Sequence, residues 1–181
     1  MPEVSPPPVA PPAAPPRAHG RRDRRRARRA RRRGVRVGDR VVLGRGVRFD
    51  LAPGAVVEIG DGAVIGDRCR LHVAAGAIVR IGAGAVLGER CALVAHAALD
   101  VGPGAMLADE VVLVDAAQRF DDAERPIRQQ RLEAAPTTVG ASARVGRGAV
   151  VGPGVTVGTG AVAGAHAVVE RDVPPGAVVP R

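Results

Sequence analysis

Four side chains in this sequence carry an imidazole, His19, His72, His96 and His166. Imidazole is the group best suited to exchange a proton near neutral pH or to ligate a metal. No two of these histidines lie close together along the chain, so the three imidazoles of a catalytic zinc site are not signalled. The two cysteines, Cys69 and Cys91, stand 22 residues apart with no Cys-x-x-Cys or Cys/His cluster, and no metal is expected. A third set of groups lies in the stretch from Asp115 to Thr138, DAAQRFDDAERPIRQQRLEAAPTT. Its Asp121, Asp122, Glu124, Arg125 and Arg128 offer charged hydrogen-bonding partners to a polar acceptor such as a sugar, or equally to one another in a solvated loop.

The elements that must position these groups are legible as a repeat. From Val37 the segments VGDRVVLGRGVRFDLAPGAVVE, IGDGAVIGDRCRLHVAAGAIVR (from Ile59), IGAGAVLGERCALVAHAALD (from Ile81) and VGPGAMLADEVVLVD (from Val101) superimpose. Within each, aliphatic or aromatic residues recur at steps of six: Val37, Leu43, Phe49; Ile59, Ile65, Leu71; Ile81, Leu87, Leu93; Val101, Leu107, Leu113. A later block keeps the step without interruption through Val139, Val145, Val151, Val157, Ala163 and Val169. An α-helix needs apolar residues at three- and four-residue steps, and Gly recurring every sixth position costs it about 1 kcal/mol each time. Helix is excluded over this region.

A hexapeptide of extended backbone makes one short strand and one turn. Its first residue points inward, and the glycine after it is expected to take the corner conformation that side chains resist. Three such units close a triangular coil, and coils stack at about 4.8 Å by parallel pairing. Coils starting at Val37, Ile59, Ile81, Val101, Val139 and Val157 predict an all-β parallel β-helix of about six coils, the 20- and 22-residue repeats being 18 plus a small corner insertion. Cys69 and Cys91 then occupy equivalent fifth positions, where Ala63, Ala85, Ala149 and Ala161 stand elsewhere, and read as small reduced core residues. The aperiodic residues 115–138 must loop out as one extended segment. The ending VERDVPPGAVV, residues 169–179, places two prolines where strand pairing should stop, so residues 170–181 are expected to form a C-terminal cap.

The net charge of +9 belongs to the N-terminus. Residues 1–34 hold 11 Arg against two acids, whereas sixteen arginines from Val35 onward meet sixteen acids. That tail, Pro/Ala-rich and then Arg-rich, is expected to be disordered, because it cannot bury enough apolar surface to offset its ordering entropy. An Ala/Arg helix from Arg21 to Arg33 is conceivable but shows no apolar face to dock. No run approaches the length of a membrane span, and no apolar secretory segment opens the chain, so a cytoplasmic protein is expected.

The hexapeptide period, VVLVD, FDDAERPIRQQ, the VGxGxxVGxGxx run and AVVERDVPPGAVV together resemble the left-handed β-helix acyltransferases of the maltose/galactoside and surface-sugar O-acetyltransferase kind, over Val37 to Arg181. The resemblance implies the left hand. It also implies a homotrimer, acetyl-coenzyme A as donor in the cleft between neighbouring prisms, and O-acetyl transfer to a sugar-like hydroxyl. It puts backbone amides of the C-terminal coils, at Gly140, Gly158, Gly164 and Ala165, on the pantetheine arm, and Arg171 on coenzyme A phosphates. It further implies a general-base histidine in the looped-out segment, at the position Gln118 occupies here. A carboxamide takes no proton at neutral pH, which costs a rate factor of about 10² to 10⁴. His96, one coil earlier and in register with Ala116, is then the candidate relocated base, with Asp115 to orient it. His72 and His166 are expected at coil corners without a matched partner. The other class of reading is a noncatalytic trimeric scaffold that presents the basic tail to nucleic acid or another anionic surface. A γ-type carbonic anhydrase shares the prism but needs the three imidazoles that this spacing does not supply.

Overall fold

The structure, a computed structural model, describes residues 21–119, 121 and 124–180. Inward columns and outward ladders follow from one rule: in a strand successive side chains take opposite faces, so the six-residue step returns the same face at each turn of the coil. Three parallel sheets result, with one strand per coil in each. The first holds Arg36–Val37, Val56–Ile59, Ile78–Ile81, Ala98–Val101, Thr137–Val139 and Thr156–Val157. The second holds Val42–Leu43, Val64–Ile65, Val86–Leu87, Met106–Leu107, Arg144–Val145, Val162–Ala163 and Val178–Val179. The third holds Arg48–Leu51, Arg70–Val73, Ala92–Ala95, Val112–Val114, Val150–Val151 and Val168–Val169.

The register is the one the hexapeptide step predicts. Val37, Ile59, Ile81, Val101, Val139 and Val157 pair in succession. So do Leu43, Ile65, Leu87, Leu107, Val145 and Ala163, and Phe49, Leu71, Leu93, Leu113, Val151 and Val169. All of these are buried, and each large aliphatic removed from water contributes about 1.5 to 3 kcal/mol. Cys69 and Cys91 are free and buried, as the repeat places them, with their thiols against the carbonyls of Gly88 and Ala108 at 3.0 and 3.1 Å. Sharing a hydrogen bond with Cys69, together with burial, pushes the Cys91 thiol up, so it stays protonated.

The glycine after each inward aliphatic has a different reason from the one expected. Gly60 and Gly66 do not adopt positive φ; a Cβ on Gly60 would sit 2.6 Å from the Ala83 amide nitrogen, and one on Gly66 2.5 Å from the Gly88 carbonyl oxygen. Close stacking of the corners selects glycine there. Positive φ falls two residues later, at Arg40, Arg68, Arg90, Glu110, Ser142 and His166 as well as at glycines.

Three further expectations are corrected. Residues 21–31 are not disordered but form an α-helix, Arg21–Arg31, which docks on the first coil with Ala30 buried and Ala27 packed against the core. Two alanines suffice as a docking face because arginines add polar anchors, Arg26 to the Leu43 carbonyl at 3.0 Å and Arg31 to the Val37 carbonyl at 2.7 Å. Residues 1–20 lie outside the described residues. The segment 115–138 is not structureless: Ala116–Gln118 pairs antiparallel with Leu132–Ala134, and a single 3-10 turn spans Ile127–Gln129. The two prolines of the C-terminal cap do not end the pairing either. Pro174 and Pro175 sit in a turn, and Val178–Val179 resumes on Val162–Ala163 as the seventh strand of the second sheet.

Candidate functional site

The hairpin arm leaves the prism at the corner between the third and first sheets, where the first three coils carry their extra residues. Its root is held by two buried polar side chains, the only ones in the core among the described residues, Asp115 and Thr137. The Thr137 hydroxyl lies 2.9 Å from the Gly152 carbonyl and 3.3 Å from that of Val114, bridging the coils where the chain departs and returns. The Asp115 carboxylate accepts the backbone N–H groups of His96 and Ala97, both at 2.7 Å. Its role therefore differs from the one expected. Asp115 clamps the turn that carries His96 rather than orienting the imidazole, whose Nδ1 is 3.9 Å from Oδ1. That Nδ1 is buried and has no hydrogen-bond partner among the described residues, while the ring keeps 29% of its surface exposed.

His72 is not at a corner. It projects from the strand Arg70–Val73 on the outer surface of the third sheet, and its ring centroid lies 6.2 Å from that of His96. The spacing of 24 residues hid the pair because one coil plus two residues of strand separates them, a relation visible only once the register is known. His166 stands apart in an exposed turn with φ of 60°, its ring over Gly148.

Gln118 donates from Nε2 to the Gln130 carbonyl at 2.8 Å, so it ties the arm across its width. Of the loop residues, Asp121 pairs with Arg119, which also holds Glu133 at 2.6 Å. Those hydrogen bonds lower the Asp121 carboxyl below its usual range and raise the guanidinium of Arg119. Arg125 and Arg128 are exposed on the arm, and Asp122 lies outside the described residues.

The four backbone positions expected to meet the pantetheine arm fall on two different corners. Gly140 and Gly158 stack where the first sheet turns into the second, and Gly164 and Ala165 where the second turns into the third. The amides of the three glycines are spent in the coil-to-coil ladder, on the carbonyls of Val157, Val173 and Val179. Ala165 is exposed and its amide has no partner among the described residues; one coil earlier the Arg147 amide is in the same state. Repetition of sequence alone did not separate stacked glycines from free amides. Arg171 is exposed in the turn after the last strand of the third sheet. Amides without a partner recur along this column, at Asp67 and Asp109 as well as Arg147 and Ala165, and with the exposed arginine they are compatible with a donor that carries amide carbonyls and phosphates, as coenzyme A does.

The outer surfaces of the sheets differ in chemistry. The first presents Arg36, Glu58, Arg80 and Asp100 in stacked succession, paired as an ion ladder. The third presents Arg48, Asp50, Arg70 and His72 on its first two coils and, on the later ones, Ala92, Val94, Val112, Val114, Val150 and Val168, the last 65% exposed. Free amides border this apolar face on one edge, and His72, His96 and the arm border it on the other.

No known family profile matches the sequence, and no curated protein matches it. Solved structures do match its fold. AntD, an N-acyltransferase from Bacillus cereus, superimposes with a TM-score of 0.73 at 17% identity, over 85% of this chain and 83% of that one. The polySia-specific acetyltransferase NeuO gives 0.61 at 19% over 81% and 77%. A maltose O-acetyltransferase from Clostridium difficile 630 gives 0.57 at 21% over 83% and 67%. The fold is the left-handed parallel β-helix, as the sequence led one to expect.

Proposed function

We propose that this protein transfers an acyl group, acetyl in the simplest case, from a coenzyme A thioester to a hydroxyl or amine of a sugar-like acceptor. The reading is supported by the folds it resembles, since AntD was solved with coenzyme A and dTDP-4-amino-4,6-dideoxyglucose and the other two are acetyltransferases. The single observation that carries the site is His96, an imidazole held on a clamped turn at the root of the arm with its Nδ1 out of water. In this reading His96 removes the proton of the acceptor as it attacks the thioester carbonyl, and the coenzyme A thiolate leaves. Asp115 is a positioning residue that acts through the backbone. Gln118 braces the arm, and Arg125 and Arg128 on the arm meet the acceptor. Along the second-to-third corner, the amides of Arg147 and Ala165 hold the pantetheine and Arg171 meets a phosphate of the donor.

A homotrimer follows from the same surfaces. The apolar part of the third face requires cover, and a second copy seated on it would bring its own surface against the free amides and the histidines. A protein of this kind works in the cytoplasm, where coenzyme A thioesters are made.

Release of coenzyme A thiol, followed with sugars and amino sugars as acceptors, tests the reading. Acceptor-dependent turnover that falls about 10² to 10⁴-fold in His96→Ala, and much less in His166→Ala, is the expected result. Turnover indifferent to His96 rejects the base, and failure to bind acetyl-coenzyme A at all rejects the enzyme in favour of a scaffold.

A further inference from the structure

The docked helix Arg21–Arg31 makes a second surface, three coil steps from the root of the arm. At 100° per residue its wheel divides cleanly. Ala27, Ala30, Arg26 and Arg31 face the first coil and are consumed in packing or in bonds to the Leu43, Val37 and Gly38 carbonyls. Arg24, Arg25, Arg28, Arg29 and Arg32 occupy an arc of about 140° on the opposite side and are exposed. No acid occurs between Asp23 and Asp39.

Seven arginines of the prism and its arm are paired with acids, whereas Arg40, Arg48, Arg68 and Arg144 of the prism, like the exposed ones of the helix, meet none among the described residues. Arg36, Arg45, Arg70, Arg80, Arg90, Arg119 and Arg147 each meet an aspartate or glutamate within 4.0 Å. Arg24, Arg25, Arg28, Arg29, Arg32 and Arg33 meet none among the described residues. They also face each other at four-residue steps, Arg24 with Arg28, Arg25 with Arg29 and Arg28 with Arg32, a spacing at which like charges destabilise a helix. Eleven residues are too few for a helix to persist alone, so docking alone holds this repulsion in place. A groove lined by Arg26, Arg29, Arg33 and Arg48 continues the basic surface onto the third sheet.

We infer that the capping helix is a binding surface for the phosphodiester backbone of double-stranded nucleic acid. A rigid convex row of guanidinium forks suits closely spaced phosphates, which duplexes present at one charge per about 1.7 Å of axis. A bilayer fits less well: the exposed arc holds no apolar residue to insert, both alanines being used in docking, which leaves only about 1 kcal/mol per arginine of surface attraction. Binding reads backbone and not sequence, since nothing on the arc discriminates base edges. It also relieves the repulsion along the helix, so the duplex and the docked helix stabilise each other.

The test is fluorescence anisotropy of the full chain with a labelled 20-base-pair duplex at several salt concentrations. The variant Arg24→Gln, Arg25→Gln, Arg28→Gln, Arg29→Gln, Arg32→Gln is run beside it; glutamine keeps helix propensity and leaves the docking alanines untouched. Neutralising five phosphates gives a slope of log affinity against log salt near about −4.5, and the variant should lose that slope and at least about 100-fold in affinity at low salt. Should the fivefold variant fail to fold by circular dichroism, Arg25→Gln with Arg29→Gln should still lower the slope by about 2. Unchanged binding by either variant overturns the assignment to this helix. Tighter binding to phosphatidylglycerol vesicles than to the duplex overturns nucleic acid in favour of a membrane surface. Equal competition by polygalacturonate at matched charge overturns the preference for phosphate.

Discussion

The first and third faces of the prism each take one strand from the same coils, yet they meet their surroundings in different ways. Inward, both stack Val, Ile and Leu in unbroken columns, with Phe49 opening the column of the third. Outward, the first face alternates charge from coil to coil, Arg36, Glu58, Arg80, Asp100, beside Val56, Ile78 and Ala98, whereas the third is polar over its first two coils, Arg48, Asp50, Arg70 and His72, and apolar only from Ala92 on, through Val94, Val112, Val114, Val150 and Val168. The inner columns decide that a coil closes; the outer ladders decide what each side is for. A charged ladder is content in water and contributes little, since exposed ion pairs are worth about 0 to 1 kcal/mol. The apolar part of the third face, flanked by imidazoles and unspent amides, is where the proposed chemistry is placed.

This contrast can be broken in order of expected effect. Charges on the third face should act most strongly: Val94→Arg combined with Val168→Arg should convert the proposed trimer to monomer by sedimentation equilibrium and abolish the proposed turnover, whereas Arg80→Glu on the first face should leave assembly unchanged. Next comes the interior, where the two faces are alike. Leu93→Ala and Leu99→Ala should each cost about 2 to 5 kcal/mol in chemical denaturation, independent of which sheet they serve. A smaller loss is expected at the stacked corners. Gly66→Ala brings a Cβ to 2.5 Å from the Gly88 carbonyl oxygen, a contact that must push two coils apart, and should lower the melting temperature by several degrees.

The smallest effect belongs to the corner carboxylates. Asp67 accepts the Arg45 amide and Asp109 the Glu89 amide, and these hydrogen bonds, aided by the Arg45 and Arg147 guanidiniums, hold both carboxyls below the usual aspartate range. A carboxyl depressed in the folded state stabilises it above the unfolded value of 3.8 and loses that contribution as the pH falls through the folded value. Melting curves should therefore be flat from neutral pH down to about 5 and decline below 4, with Asp67→Asn together with Asp109→Asn flattening part of the decline.

Much of this molecule was written in the spacing of its aliphatics. A step of six fixed the strands, the coil starts at Val37, Ile59, Ile81, Val101, Val139 and Val157, the places of Cys69 and Cys91, and the segment that leaves the prism. The candidate site was legible only in part. His96 and Asp115 lie together because register follows from the repeat, but the Asp115 carboxylate goes to two backbone amides instead of the ring. The aromatic neighbour of the His96 ring, His72, went unseen.

What the sequence settled by itself was everything that repeats, since a periodic pattern has one geometry that buries it. Tertiary structure alone decided what does not repeat. The helix of residues 21–31 gains an apolar face only when the open end of the first coil lies beneath Ala27 and Ala30. The next coil takes the amide of Gly140 and leaves that of Ala165 free. Hydrogen bonds and docking are settled by what lies across space, and composition carries no record of that neighbour.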